Sequence, residues 1–166
     1  MKHPLPASAV CLALFIAGCH NVPDPGNAGN NGTPVSVHED IEGARELEFK
    51  EARNYFVRNT VTDIADPRIM TAVEFDAVFG MATTMGADGR PTEIDFEQEF
   101  VIAVILPETD TATEVIPDRL EKDGNGGITL WYRRTVGAEQ SFTTRPFAAI
   151  IVDRSESAPV ELKEMK

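Results

Sequence analysis

Two stretches limit the folds open to this chain more than any others. Phe100 to Leu106 reads FVIAVIL, and Phe147 to Val152 reads FAAIIV, so each is apolar at every position. Successive side chains of a strand point to opposite faces, so an unbroken apolar run of this length describes a strand buried on both sides. Pro107 and the pair Thr109–Asp110 end the first run. Thr111–Pro117 then reads as a return strand, with Ala112 and Val115 out of strict alternation, as at a bulge. Asp123-Gly124-Asn125-Gly126-Gly127 is a strong turn signal. Beyond it Ile128, Leu130 and Tyr132 alternate with Thr129, Trp131 and Arg133, the pattern of a half-exposed strand.

The region before these strands reads differently. Ile41, Ala44, Leu47 and Ala52 recur near helical spacing, and Glu46 with Lys50 forms a pair at the favoured helical distance. Asn54–Asn59 is richer in strand formers. Thr71 followed by Glu74 is a capping box, and Val73, Phe75, Val78 and Phe79 offer an apolar face before Gly80 stops the helix. Residues 86–91, GADGRP, read as a loop. The expected fold is α+β: N-terminal helices packed on an antiparallel β-meander in one small domain, residues 38–155, followed by a charged tail at 156–166.

The first 37 residues carry a separate message. Lys2, an apolar run from Ala7 to Ala17 and small residues at its end describe a secretory signal over residues 1–18. It closes on Ile16-Ala17-Gly18-Cys19, which resembles the bacterial lipobox. That resemblance implies removal of the signal and attachment of diacylglycerol to the Cys19 thiol, with acylation of the new amine. Two or more acyl chains hold a protein stably on a membrane at about 0.8 kcal/mol per buried methylene. Cys11, the other cysteine, lies inside the signal, so the exported chain has no intramolecular disulfide. Residues 20–37 contain ten Asn, Gly or Pro among eighteen and read as a flexible tether. Its root-mean-square span is roughly 23 Å and its extended limit about 60 Å. In enterobacterial lipoproteins an aspartate directly after the cysteine retains the protein at the inner membrane, and surface-exported lipoproteins of Bacteroidetes carry an acidic cluster there; with His20 next to Cys19 and a single acid in His20–Asp24, the resemblance implies the outer membrane and its periplasmic face.

Several chemistries lack parts. With 15 basic residues against 27 acidic ones and a net charge of −12, there is no basic run to engage phosphate, and nucleic acid is excluded. A Ser–His mechanism needs a positioned base, and beyond the signal only His20 and His38 remain, both outside the strand region. There is no G-x-S-x-G elbow. Residues 123–134 miss a calcium loop at two points, with Ile128 in place of glycine and Arg134 where a bidentate glutamate belongs. No metal ligand set, cofactor site or catalytic residue is assigned. Asp95 and Glu97, with Glu99, are the carboxylates an envelope hydrolase or sugar-processing enzyme would use if they shared a strand face.

Trp131, Tyr132 and Arg133 are the candidate protein contacts. On the alternation above, Trp131 shares a face with Thr129 and Arg133. Either a helix covers that face, or the indole is exposed, and an aromatic beside arginine then makes a binding hot spot.

The segments NYFVRN, FGMATTMG, IDF, FVIAVI and SFTTRPF are similar to stretches of small lipoproteins of Bacteroidetes, across most of residues 50–153. More remotely, Thr144-Arg145-Pro146-Phe147 resembles the step into the last strand of the C-terminal domain of PrcB-type lipoproteins, which associate with and stabilise a surface protease. Thr111–Glu114 departs from that family's glycine pair and aromatic. The resemblance implies a non-enzymatic accessory domain with an envelope protein as partner.

Overall fold

A computed structural model describes residues 43–82 and 89–166, all within one compact unit. The signal 1–18, Cys19, the tether, His38 and Ile41 lie outside the described residues.

The two apolar runs lie side by side. β6 (Glu99–Ile105) pairs antiparallel with β9 (Phe147–Asp153), Phe100 opposite Val152 and Ile105 opposite Phe147. Phe100, Ile102 and Val104 point to the same side as Ala148, Ile150 and Val152, while Val101 and Ala103 share the other side with Ala149 and Ile151. All ten are buried, so both faces of this pair are covered, as the runs predict. Full burial of each larger side chain stabilises the fold by about 1.5–3 kcal/mol.

Different material covers the two faces. On one side stands a second sheet built from β1 (Arg45–Leu47), β7 (Thr109–Lys122), β8 (Ile128–Thr144) and β10 (Val160–Glu164), in that spatial order. It contributes Leu47, Val115, Leu120, Ile128, Leu130 and Tyr132 to the core. On the other side lie a short helix, α1 (Ala72–Val78), and a two-stranded sheet of β3 (Tyr55–Val57) and β5 (Phe79–Met81). Their core is aromatic: Phe75 lies 4.9 Å from both Tyr55 and Phe79, and Phe79 lies 5.4 Å from Phe147. Two-residue strands flank the central pair, β2 (Lys50–Glu51) beside β9 and β4 (Arg68–Ile69) beside β6.

The expected helix at 40–53 is a correction. Its described part holds β1 and β2, and Lys50 pairs with Glu99 at 2.8 Å rather than with Glu46. Leu47 and Phe49 pack on the core between the two large sheets, the period of a strand. Pairing with the open sides of β7 and β9 satisfies the backbone here and outweighs a weak helical pattern. The sheet is not a simple meander either. The β7–β8 hairpin is inserted between β6 and β9, and β10 runs parallel to β8, from Val160 opposite Ile128 to Glu164 opposite Tyr132. Part of the expected charged tail is therefore a sheet edge. Val160 and Leu162 pack against the core, while Glu161 and Glu164 face solvent.

Other expectations match in detail. Thr71 caps α1 with both halves of the capping box in place, the Glu74 carboxylate accepting from the Thr71 N–H at 3.0 Å. Asp123 closes the β7–β8 turn, its Oδ1 accepting from the N–H groups of Asn125 and Gly127, with Gly126 at φ +89°. Gly80 has a different role from the one expected. The helix ends on the extended residue Phe79, and Gly80 lies opposite Phe56, whose ring occupies the space a side chain would need. Val73, expected on the buried face of α1, is 81% exposed.

Candidate functional site

Trp131 lies on the outer face of the β1-β7-β8-β10 sheet because Leu130 and Tyr132 on either side of it are taken into the core. Its direct neighbours across the two flanking strands are Arg119 on β7 and Lys163 on β10. Both cations lie over the indole, the Arg119 guanidinium carbon 4.7 Å and the Lys163 Nζ 5.3 Å from the ring centroid. The indole N–H donates to Glu121 Oε2 at 2.7 Å, and Glu121 Oε1 accepts from Arg119 Nε at 2.8 Å. Arg133 continues the face, its Nε 3.2 Å from Asp118 Oδ1.

A bulge makes this arrangement possible. Between Pro117 and Arg119 the register gains one residue on β7, while β8 advances only from Tyr132 to Trp131. Without the extra residue Arg119 would point into the core, and the bulge turns it outward to meet the indole. Among the described residues, side chains of the sheet itself rather than a helix half-bury Trp131. The result is a flat face with an aromatic centre and a ring of both charge signs, its side chains held by one another.

Tyr132 does not belong to this face. It is 8% exposed, packs in the core, and burial raises its hydroxyl pKa above the ordinary value. The contact candidates thus divide into Trp131 and Arg133 outside and Tyr132 inside. Arg119, Glu121 and Lys163 are the members sequence reasoning missed. They lie 10 to 32 positions from Trp131, and only strand register brings them to it.

The candidate carboxylates do not form an acid pair. Asp95 and Glu97 lie in a turn before β6 instead of on a strand face. Asp95 Oδ1 accepts from the Glu97 N–H at 3.0 Å, and the Asp95 carbonyl accepts from the N–H groups of Gln98 and Glu99. Glu99 accepts from Lys50 and from the Asp95 N–H, and the lysine holds its pKa below the ordinary carboxylate value. These groups fix a turn and a sheet edge. Among the described residues no group of three or more His, Cys, Asp or Glu could hold a metal ion. Nor is any described helix long and apolar enough to cross a membrane.

Comparison with protein-family models, curated proteins and solved structures finds no match to this chain.

Proposed function

We propose that this chain is a lipid-anchored envelope protein whose domain is a protein-binding or accessory module, presenting the face around Trp131 to another envelope protein. The observation that carries the reading is the single tryptophan of the chain, set on an outer sheet face between Arg119 and Lys163. Aromatic and arginine side chains dominate the energetics of protein interfaces, and a face already ordered by its own contacts loses little side-chain entropy on binding.

The anchor follows from the lipobox-like Ile16–Cys19 after an apolar run, with Cys19 as the lipidated residue and the outer membrane, periplasmic face, as the location. A tether of roughly 23 Å root-mean-square span would keep the domain close to that membrane yet free to turn. The resemblance to PrcB-type lipoproteins makes an envelope protease a fitting kind of partner. Co-purification from detergent-solubilised envelope tests the proposal. Wild-type protein should retain a partner that W131A and R133E lose, at unchanged membrane association. Equal recovery with all three proteins refutes the binding face.

A further inference from the structure

The last strand leaves one edge of the β1-β7-β8-β10 sheet open. Among the described residues β10 is the longest strand at the end of any sheet. In a parallel pair, alternate residues of a strand bond to the neighbour. Ile128 N–H donates to the Pro159 carbonyl at 2.9 Å and Met165 N–H donates to the Tyr132 carbonyl at 2.8 Å, which fixes the phase. With Val160 opposite Ile128 and Glu164 opposite Tyr132, the backbone groups of Glu161 and Lys163 turn towards β8. Those of Val160, Leu162 and Glu164 therefore point away from the sheet, and no hydrogen bond among the described residues reaches them. Such a row of unpaired N–H and C=O groups is a template for another strand.

The side chains select the strand that fits. Laid antiparallel on a copy of itself with Leu162 opposite Leu162, β10 matches open groups to open groups. Val160 meets Glu164 of the copy, Leu162 meets Leu162, and Glu164 meets Val160, each pair exchanging both hydrogen bonds. Between them Glu161 faces Lys163 of the copy and Lys163 faces its Glu161, in pairs whose Cα atoms lie about 4.5 Å apart. Glu161 and Lys163 are available for this, since on the outer face they contact each other at 3.3 Å with Glu161 65% exposed. Glu164 is already held by Arg134 at 3.0 Å. Sliding the copy by two residues sets Glu161 against Glu161 or Lys163 against Lys163, and like charges directly opposite are destabilising. Sliding it by one residue sets the open groups beside residues whose groups already face β8. Charges on an edge strand commonly prevent pairing. A strand of one sign would repel a copy in every register, whereas here repulsion falls on the slipped ones.

We propose that β10 pairs antiparallel with β10 of a second copy of this chain, about a two-fold axis at Leu162, joining two four-stranded sheets into one of eight strands. The axis stands perpendicular to the sheet, so both Trp131 faces lie on the same side, three strand spacings or roughly 14 Å apart across the strands. A five-residue edge buries less than the roughly 1,200 Å² of a standard interface, so the pairing is weak and depends on concentration. It stands whether or not the Trp131 face holds another partner.

Sedimentation equilibrium of the full chain in density-matched detergent, with amide hydrogen exchange at the same concentrations, tests the pairing. Wild type should dimerise below about 1 mM. The Leu162 and Glu164 amides should pass from fast to slow exchange as it does, while those of Glu161 and Lys163 stay slow throughout. E161K and K163E should each weaken the dimer about tenfold or more, and the double variant E161K/K163E should restore it. An equimolar mixture of the two single variants should associate, because one chain is then basic at both positions and the other acidic at both. That rescue also shows that neither single variant has lost its fold. A monomer at every concentration, a dimer indifferent to the single reversals, or single variants that mixing does not rescue would overturn the proposal. So would slow exchange at Leu162 and Glu164 at the lowest concentration, which would mean that another part of the same chain covers the edge.

Discussion

Glu121 accepts the indole N–H of Trp131 at 2.7 Å from the diagonal position on the neighbouring strand, and with its other oxygen holds the arginine that covers the ring. One carboxylate thus fixes both the orientation of the aromatic group and the cation stacked on it. Because all three side chains are only part-buried, screening keeps each contact small, and a cation over an exposed ring contributes about 0.5–1 kcal/mol. A double-mutant cycle between E121Q and W131F, followed by urea unfolding, should give a coupling of about 0.5–1.5 kcal/mol. A coupling indistinguishable from zero would mean that the hydrogen bond does not order the face.

Glu156 gives the fold a predictable acid sensitivity. Its carboxylate accepts from Arg45 on β1 and from Lys122 on β7 at 2.9 Å, and these hydrogen bonds lower its pKa from 4.5 to about 2. Between those values the unfolded chain binds the proton and the folded one does not. Stability from this group is therefore complete above about pH 4.5 and is lost as pH falls towards 2. Stability measured at pH 7 and pH 3 should fall less for E156Q than for wild type, with the difference confined to that acid window. An unchanged acid limb in E156Q would contradict this.

Arg154 ties three parts of the chain together after β9. Its Nη1 donates to the Met70 carbonyl at 2.9 Å and to the Phe96 carbonyl at 2.7 Å, while its N–H donates to the Gln98 carbonyl at 2.8 Å. Hydrogen bonds from a charged donor are worth about 1.5–3 kcal/mol when partly buried. R154M, which keeps the aliphatic stem, should lower stability by about 2 kcal/mol, and R154K should recover part of it. A loss below about 0.5 kcal/mol for R154M would show that solvent serves those carbonyls equally well.

Two glycines should respond to an added methyl group to different degrees. Gly126 has open space around it but sits at φ +89°, so G126A should cost about 1–2 kcal/mol through the backbone alone. Gly80 has no such conformation, and its obstacle is the tip of the Phe56 ring, which occupies the place where the new carbon would go. That ring is 45% exposed and free to swing outward, so G80A should cost less than G126A by urea unfolding. The reverse order would mean that the Phe56 ring is held in place by more than the glycine beneath it.

How far the fold could be read from the chain depended on whether a feature was local. The β6 and β9 runs, the Thr71–Glu74 box and the Asp123 turn each announce themselves within a few residues, and all three are present. Residues 45–51 were harder, because open edges of β7 and β9 decide their structure from more than 70 positions away. The strand at Val160–Glu164 carried a signal, its apolar residues alternating with charges, that its charge content masked. The candidate site divided in the same way. Alternation placed Trp131 and Arg133 outward and would have placed Tyr132 inward, whereas Arg119 reached the indole only through a bulge that no local pattern marks. Asp95 and Glu97 looked like strand positions because the turn that uses them continues directly into β6.

The central claim is that an anchored domain uses the Trp131 face to hold an envelope partner. Site-specific photo-crosslinking in intact cells, from Thr129 and Arg133 on that face and from Val73 on α1, tests it most directly. The account predicts one discrete adduct from positions 129 and 133, reduced several-fold by W131A, none from position 73, and loss of the adduct when Cys19→Ala releases the protein from the membrane. Equal labelling from all three positions, or an adduct indifferent to Trp131, would contradict it.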